Sequence, residues 1–100
     1  MTNLYSLISN KVIKKYQISN MLIKGITCDS RKVKKGYIFA IFKGFNKNGI
    51  NYIDQAIEKG ASAILIDEKE FKTIKNSVEL TIIPSSTPRK IYALICNKFA

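Results

Sequence analysis

Tyr37-Ile38-Phe39-Ala40-Ile41-Phe42-Lys43 is a nearly continuous apolar run bounded by Gly36 and Gly44, and it decides the fold class. Its length and aromatic content suit a buried strand better than a helix. Gly44 to Asn51 reads as a loop of Gly, Asn and Lys. Asn51 then caps a helix reaching Lys59, with the Asp54 carboxylate at the positive end of the helix dipole. Ile53, Ala56 and Ile57 form its buried stripe, and Gly60 supplies a left-handed stop. Ala63-Ile64-Leu65-Ile66 is a second short buried strand. Strand, helix and strand make one βαβ unit, which is expected to be parallel and right-handed.

The flanking sequence extends this unit. On its N-terminal side, Asn3 is placed to cap a short helix with Leu4, Leu7 and Ile8 on one face, and Lys11 to Ser19 reads as irregular or as a weak strand. Leu22 to Cys28 is β-rich and runs into the turn formers Asp29-Ser30. On the C-terminal side, Glu68 to Asn76 reads as a charged surface turn of helix, and Leu80 to Ile83 as a strand ended by Pro84. Thr87 caps the last helix with Pro88 in its permissive first position, and Ile91, Leu94, Ile95 and Phe99 make the packing face. The pattern predicts an α/β fold: one small domain over residues 1–100, with a mixed sheet of about four to five strands and flanking helices.

Composition narrows the function classes. With 46% hydrophobic residues, 17 of them isoleucine, the 100-residue chain has enough apolar surface to fold. No stretch approaches the ~20 apolar residues of a membrane helix, and Met1-Thr2-Asn3-Leu4 does not open a secretory signal. The expectation is a soluble, cytoplasmic chain with no membrane insertion. The net charge of +10 suggests nucleic acid at first, but only Arg31 and Arg89 among the 17 basic residues carry the bidentate fork favoured for phosphate and base recognition. The lysines are spread along the chain, so no specific nucleic-acid partner is expected. There is no histidine, and Cys28 and Cys96 are the only cysteines. That excludes a Ser-His-Asp triad, an imidazole zinc site and a CxxC pair. No metal ligand set and no catalytic constellation is found.

Two loops carry the remaining chemistry. Thr27-Cys28-Asp29-Ser30-Arg31-Lys32 places hydroxyl, carboxylate and guanidinium groups at a strand end. It suits either a phosphate or nucleobase edge, or simply a turn that Asp29 caps and Arg31 pairs with. In Lys43-Gly44-Phe45-Asn46-Lys47-Asn48-Gly49, Phe45 offers a stacking surface and Asn46 an amide that reads donors and acceptors; the alternative is a solvated loop with Phe45 folded inward. No GxxxxGK[ST] phosphate loop occurs.

Ile26-Thr27-Cys28-Asp29-Ser30-Arg31-Lys32-Val33-Lys34-Lys35-Gly36-Tyr37-Ile38-Phe39-Ala40 resembles the "ITxDSRKVxxGxxFxA" opening of the Mur ligases. Lys43-Gly44, Gly49 and Tyr52 to Ala61 are similar to that family's "xGxxxDGHxFIxxAIxxGA" segment, with Asn48-Gly49-Ile50 standing where the family has Asp-Gly-His. Arg89 to Phe99 resembles "RxALAxLAxxFY". This ending points to the branch that adds the third peptide residue to UDP-N-acetylmuramoyl-L-alanyl-D-glutamate. The branch that adds D-alanyl-D-alanine and a small basic nucleic-acid-binding domain are the alternatives.

The resemblance implies an N-terminal domain that binds the UDP moiety of UDP-N-acetylmuramoyl-dipeptide. Ser30 and Cys28 would lie at the uridine, Phe45, Asn46 and Lys47 at the uracil, and Asp29 and Arg31 would shape the loop. It further implies a complete ligase of cell-wall precursor biosynthesis, using ATP and magnesium in other domains in cis. This domain would bind neither and would not catalyse the reaction alone.

Overall fold

A computed structural model describes residues 1–42 and 49–100. In chain order its elements are β1 (Thr2–Asn3), α1 (Asn10–Tyr16), β2 (Leu22–Ile23), β3 (Gly25–Thr27), β4 (Tyr37–Ala40), α2 (Ile53–Glu58), β5 (Ala63–Asp67), α3 (Phe71–Ile74), β6 (Thr81–Ser85) and α4 (Pro88–Lys98). Strands β3, β4, β5 and β6 lie side by side in that order, all parallel, while β1 and β2 form a separate antiparallel pair. The α/β class and the parallel β4–α2–β5 unit are as the sequence predicts.

A parallel sheet covered on both faces needs apolar side chains on both sides of each strand, which is why β4 and β5 read as unbroken apolar runs. Ile38, Ala40, Phe42, Ala63 and Leu65 point into one core, with Ile83 and with Ile95 of α4. Phe39, Ile41, Ile64 and Ile66 point into the other, against Ile53 and Ala56 of α2 and Ile74 of α3. Helices thus cover both faces, leaving the carboxyl ends of the strands for the loops.

Several local expectations give way to tertiary hydrogen bonds. Asn3 caps no helix: it belongs to β1, and Leu4–Ser6 is a single 3-10 turn whose Leu4 N–H donates to the Met21 carbonyl at 2.8 Å. The helix falls instead at α1, most of it in the stretch Lys11 to Ser19 read as irregular or as a weak strand. There Ser9 Oγ accepts the Val12 N–H at 3.3 Å, and Gln17 closes the helix at φ 53°. The segment Leu22 to Cys28 is divided between two ladders, because the Lys24 N–H between β2 and β3 turns to the Gly36 carbonyl at 2.9 Å.

The β4 ladder stops at Ala40, although the Ile41 N–H still donates to the Leu65 carbonyl. Asn51 is not a cap either, since a 3-10 turn, Gly49–Tyr52, leads straight into α2. Ile57 and Leu94 are 39% and 52% exposed, so α2 packs through Ile53 and Ala56, and α4 through Ile91, Tyr92, Ile95 and Phe99. Pro84 does not end β6 but sits inside it, opposite Ile66, which is tolerated because β6 is an edge strand. Thr87 makes no side-chain cap, though Pro88 does open α4.

Candidate functional site

The loop leaving β3 is built by Asp29. Its N–H donates to Thr27 Oγ1 at 3.1 Å, and its Oδ1 accepts the Arg31 backbone N–H at 2.9 Å, an Asx turn that starts the 3-10 turn Ser30–Lys32. The Arg31 guanidinium then folds back on the same carboxylate, with Nε 3.1 Å from Oδ1 and Nη2 2.9 Å from Oδ2. These hydrogen bonds hold the Asp29 carboxyl down to about 2, and Asp29 in turn raises the pKa of Arg31. Because the Arg31 side chain is 81% exposed, the pair contributes loop shape more than stability.

This turn drives Ser30 inward. Ser30 is buried, and its Oγ–H donates to Gln55 Oε1 of α2 at 2.7 Å, across 25 residues of sequence. The two groups sit in a cavity of about 680 Å³ beyond the end of β3. Such a position, at the carboxyl ends of parallel strands, is where open α/β sheets hold ligands. The β3 loop supplies Cys28, Asp29, Ser30, Arg31 and Lys32 to its walls. Phe39 comes from β4, and Tyr52 and Gln55 from the start of α2. One carboxylate and two cations therefore line it, with the carboxylate already paired to Arg31 and Lys32 exposed at the rim.

Cys28 and Ser30 thus both reach the cavity, and Asp29 and Arg31 form one paired unit beside them. Phe45, Asn46 and Lys47 lie outside the described residues. Gln55, Tyr52, Lys32 and Phe39 are lining residues that sequence reasoning did not single out. A signal for two of them existed: Tyr52 and Gln55 are three apart, on one side of a helical turn, next to the buried Ile53 and Ala56. Behind the loop, Cys28 meets Tyr92 of α4. Burial first, then hydrogen bonds with Cys28 and Cys96, push the Tyr92 hydroxyl above its ordinary value. Neither cysteine is in a disulfide.

Ser30 gives its proton to an amide carbonyl, which is no base, so it is not an activated nucleophile. Among the described residues no cluster of three His, Cys, Asp or Glu side chains could hold a metal. With no GxxxxGK[ST] loop in the sequence either, these residues do not fit a magnesium–ATP site.

Comparison with known proteins adds a family and relatives. The family model described as "Mur ligase family, catalytic domain" matches residues 22–99. The chain is similar to proteins named UDP-N-acetylmuramoyl-L-alanyl-D-glutamate--2,6-diaminopimelate ligase. In Clostridioides difficile (strain 630) the identity is 51% over 80 residues, which is 80% of this chain and 16% of the relative. In Fusobacterium nucleatum subsp. nucleatum it is 43% over 67 residues, 67% of this chain and 14% of the relative. In Caulobacter vibrioides it is 35% over 78 residues, 78% of this chain and 15% of the relative. The chain therefore spans only about a seventh of the length of these relatives.

Proposed function

The chain belongs to the Mur ligase family, and from that premise we propose that it holds the UDP end of UDP-N-acetylmuramoyl-L-alanyl-D-glutamate in a ligase of peptidoglycan-precursor synthesis. One observation carries the reading: a buried, oriented hydroxyl at Ser30 stands inside a cavity whose rim is cationic. A ligand with a neutral, hydrogen-bonding ring at one end and a diphosphate at the other has the matching polarity.

In this reading Tyr52 and Phe39 supply apolar walls for the nucleoside, Ser30 and Cys28 contact the uridine, and Lys32 faces the diphosphate. By their place in the family motif, Phe45, Asn46 and Lys47 complete the uracil contact. Asp29 and Arg31 shape the loop. The names of the relatives favour the branch that extends the glutamate over the branch that adds D-alanyl-D-alanine. Amide-bond formation, with its ATP and magnesium, belongs to the whole ligase and to residues other than these. Among the described residues no helix is long and apolar enough to cross a membrane; in this reading the ligase works on its nucleotide-activated substrate in the cytoplasm.

Calorimetric titration of the chain with UDP tests the reading. Wild type binds, and Ser30→Ala weakens binding by about 3- to 10-fold, the loss of one neutral hydrogen bond. Ser86→Ala, at the start of α4, leaves affinity unchanged. No heat with UDP at millimolar concentration would overturn the assignment.

A further inference from the structure

We infer that Gln55 is a positioning residue for this site: by taking the Ser30 hydroxyl proton it leaves Ser30 an acceptor only, and so selects a ligand group that donates. A serine hydroxyl has one proton and two lone pairs. In Ser30 the proton is committed to Gln55 Oε1 at 2.7 Å, and Ser30 itself is 8% exposed. Gln55 is itself held, because its neighbours Ile53 and Ala56 are 3% and 0% exposed against the sheet.

The electrostatic consequence divides the cavity. A diphosphate presents only acceptor oxygens at neutral pH, and an acceptor set against the Ser30 lone pairs would leave both unsatisfied at a buried position. Phosphate oxygens therefore belong on the Lys32 side. The group opposite Ser30 is a donor, which in a uridine nucleotide means either the imide N–H of the base or a ribose hydroxyl. The inference rests on the UDP reading above and adds to it which end of the ligand lies innermost.

The test compares three probes on the 100-residue chain: UDP, UDP methylated at the base imide nitrogen, and UDP whose ribose lacks both hydroxyls. Wild type is expected to bind one analogue about 3- to 10-fold more weakly than UDP, the loss of one neutral hydrogen bond. Gln55→Met, which keeps length but has no oxygen acceptor, frees the Ser30 proton so that the hydroxyl is no longer held as an acceptor, and lowers that ratio; Ser30→Ala, which removes the acceptor itself, brings it close to one. Gln55→Glu, which retains an acceptor for the Ser30 proton, preserves it. A residue that merely supported the fold would weaken all three ligands together and leave the ratio intact. A wild-type ratio retained by Gln55→Met, or neither analogue weaker than UDP in wild type, overturns the inference while UDP binding stands. Absence of UDP binding to wild type overturns the underlying reading and this inference with it.

Discussion

Gly36 and Gly60, both with left-handed backbone at φ +85° and +101°, are joined directly: the Gly36 N–H donates to the Gly60 carbonyl at 2.9 Å. The bond ties the turn before β4 to the end of α2. It closes the parallel unit at the end opposite the cavity, so the start of α2, with Tyr52 and Gln55, is held over the carboxyl end of β4.

Gly60→Ala should therefore be costly. A Cβ there would sit 2.8 Å from Lys35 Cα, a backbone atom that cannot step aside, in addition to the unfavourable φ. The expected loss is about 1–3 kcal/mol in a urea melt. Gly36→Ala should lose less, because its Cβ meets only the flexible Lys24 side chain at 3.0 Å. Equal stability of Gly60→Ala and wild type would contradict the packing.

The helix α4 provides a paired test of the core. Ile95 is 1% exposed and Leu94 52%. Ile95→Ala should destabilise by about 2–5 kcal/mol, whereas Leu94→Ala should stay within about 0.5 kcal/mol. Thermal or urea unfolding distinguishes them, and the reverse order would mean that the helix is rotated.

The Asp29 carboxyl, at about 2 in the folded chain, lies below its ordinary 3.8. A depressed acid contributes stability that is complete above its unfolded value and is lost as pH falls through the folded one. The Asp29–Arg31 contribution should thus be intact above 3.8 and vanish as pH falls to about 2. Carboxyl-carbon NMR should give a titration midpoint near 2 in wild type and a higher one in Arg31→Ala, which loses the guanidinium fork but keeps the backbone N–H bond to Oδ1. A wild-type midpoint near 3.8 would mean that the fork does not persist in solution.

The +10 charge should produce only non-specific polynucleotide binding. In a gel-shift titration, any complex formed at low salt should dissolve by about 150 mM salt, where counterion release no longer favours it. A sequence-selective band that survives higher salt would identify nucleic acid as the ligand instead.

Much of this architecture is legible locally. The runs at Tyr37–Phe42 and Ala63–Ile66 announce strands buried on both faces, because alternation is absent where both sides of a strand meet helices. Gly60 announces its stop because few other residues accept that φ. Asp29, Ser30 and Arg31 announce a turn, since an Asx turn is completed within a few residues. These are properties of short windows, and the sequence alone determines them.

The rest depends on distant partners. Leu4, Leu7 and Ile8 have helical spacing, yet the Leu4 N–H bonds to Met21 and that of Tyr5 to Asn20 Oδ1 at 3.1 Å. Leu22 to Cys28 reads as one β segment, yet Lys24 bonds to Gly36, and the segment is shared between two ladders. Cys28 comes to Tyr92, and Ser30 to Gln55, only because β3, α2 and α4 pack on one sheet. A polar group shielded from water, such as the Ser30 hydroxyl, needs a partner, and in each of these cases the partner comes from a remote segment that no local pattern encodes. The sequence determined the buried strands β4 and β5 and the polar turn that follows β3. Tertiary packing decided what the Ser30 proton bonds to, because that partner lies on another element.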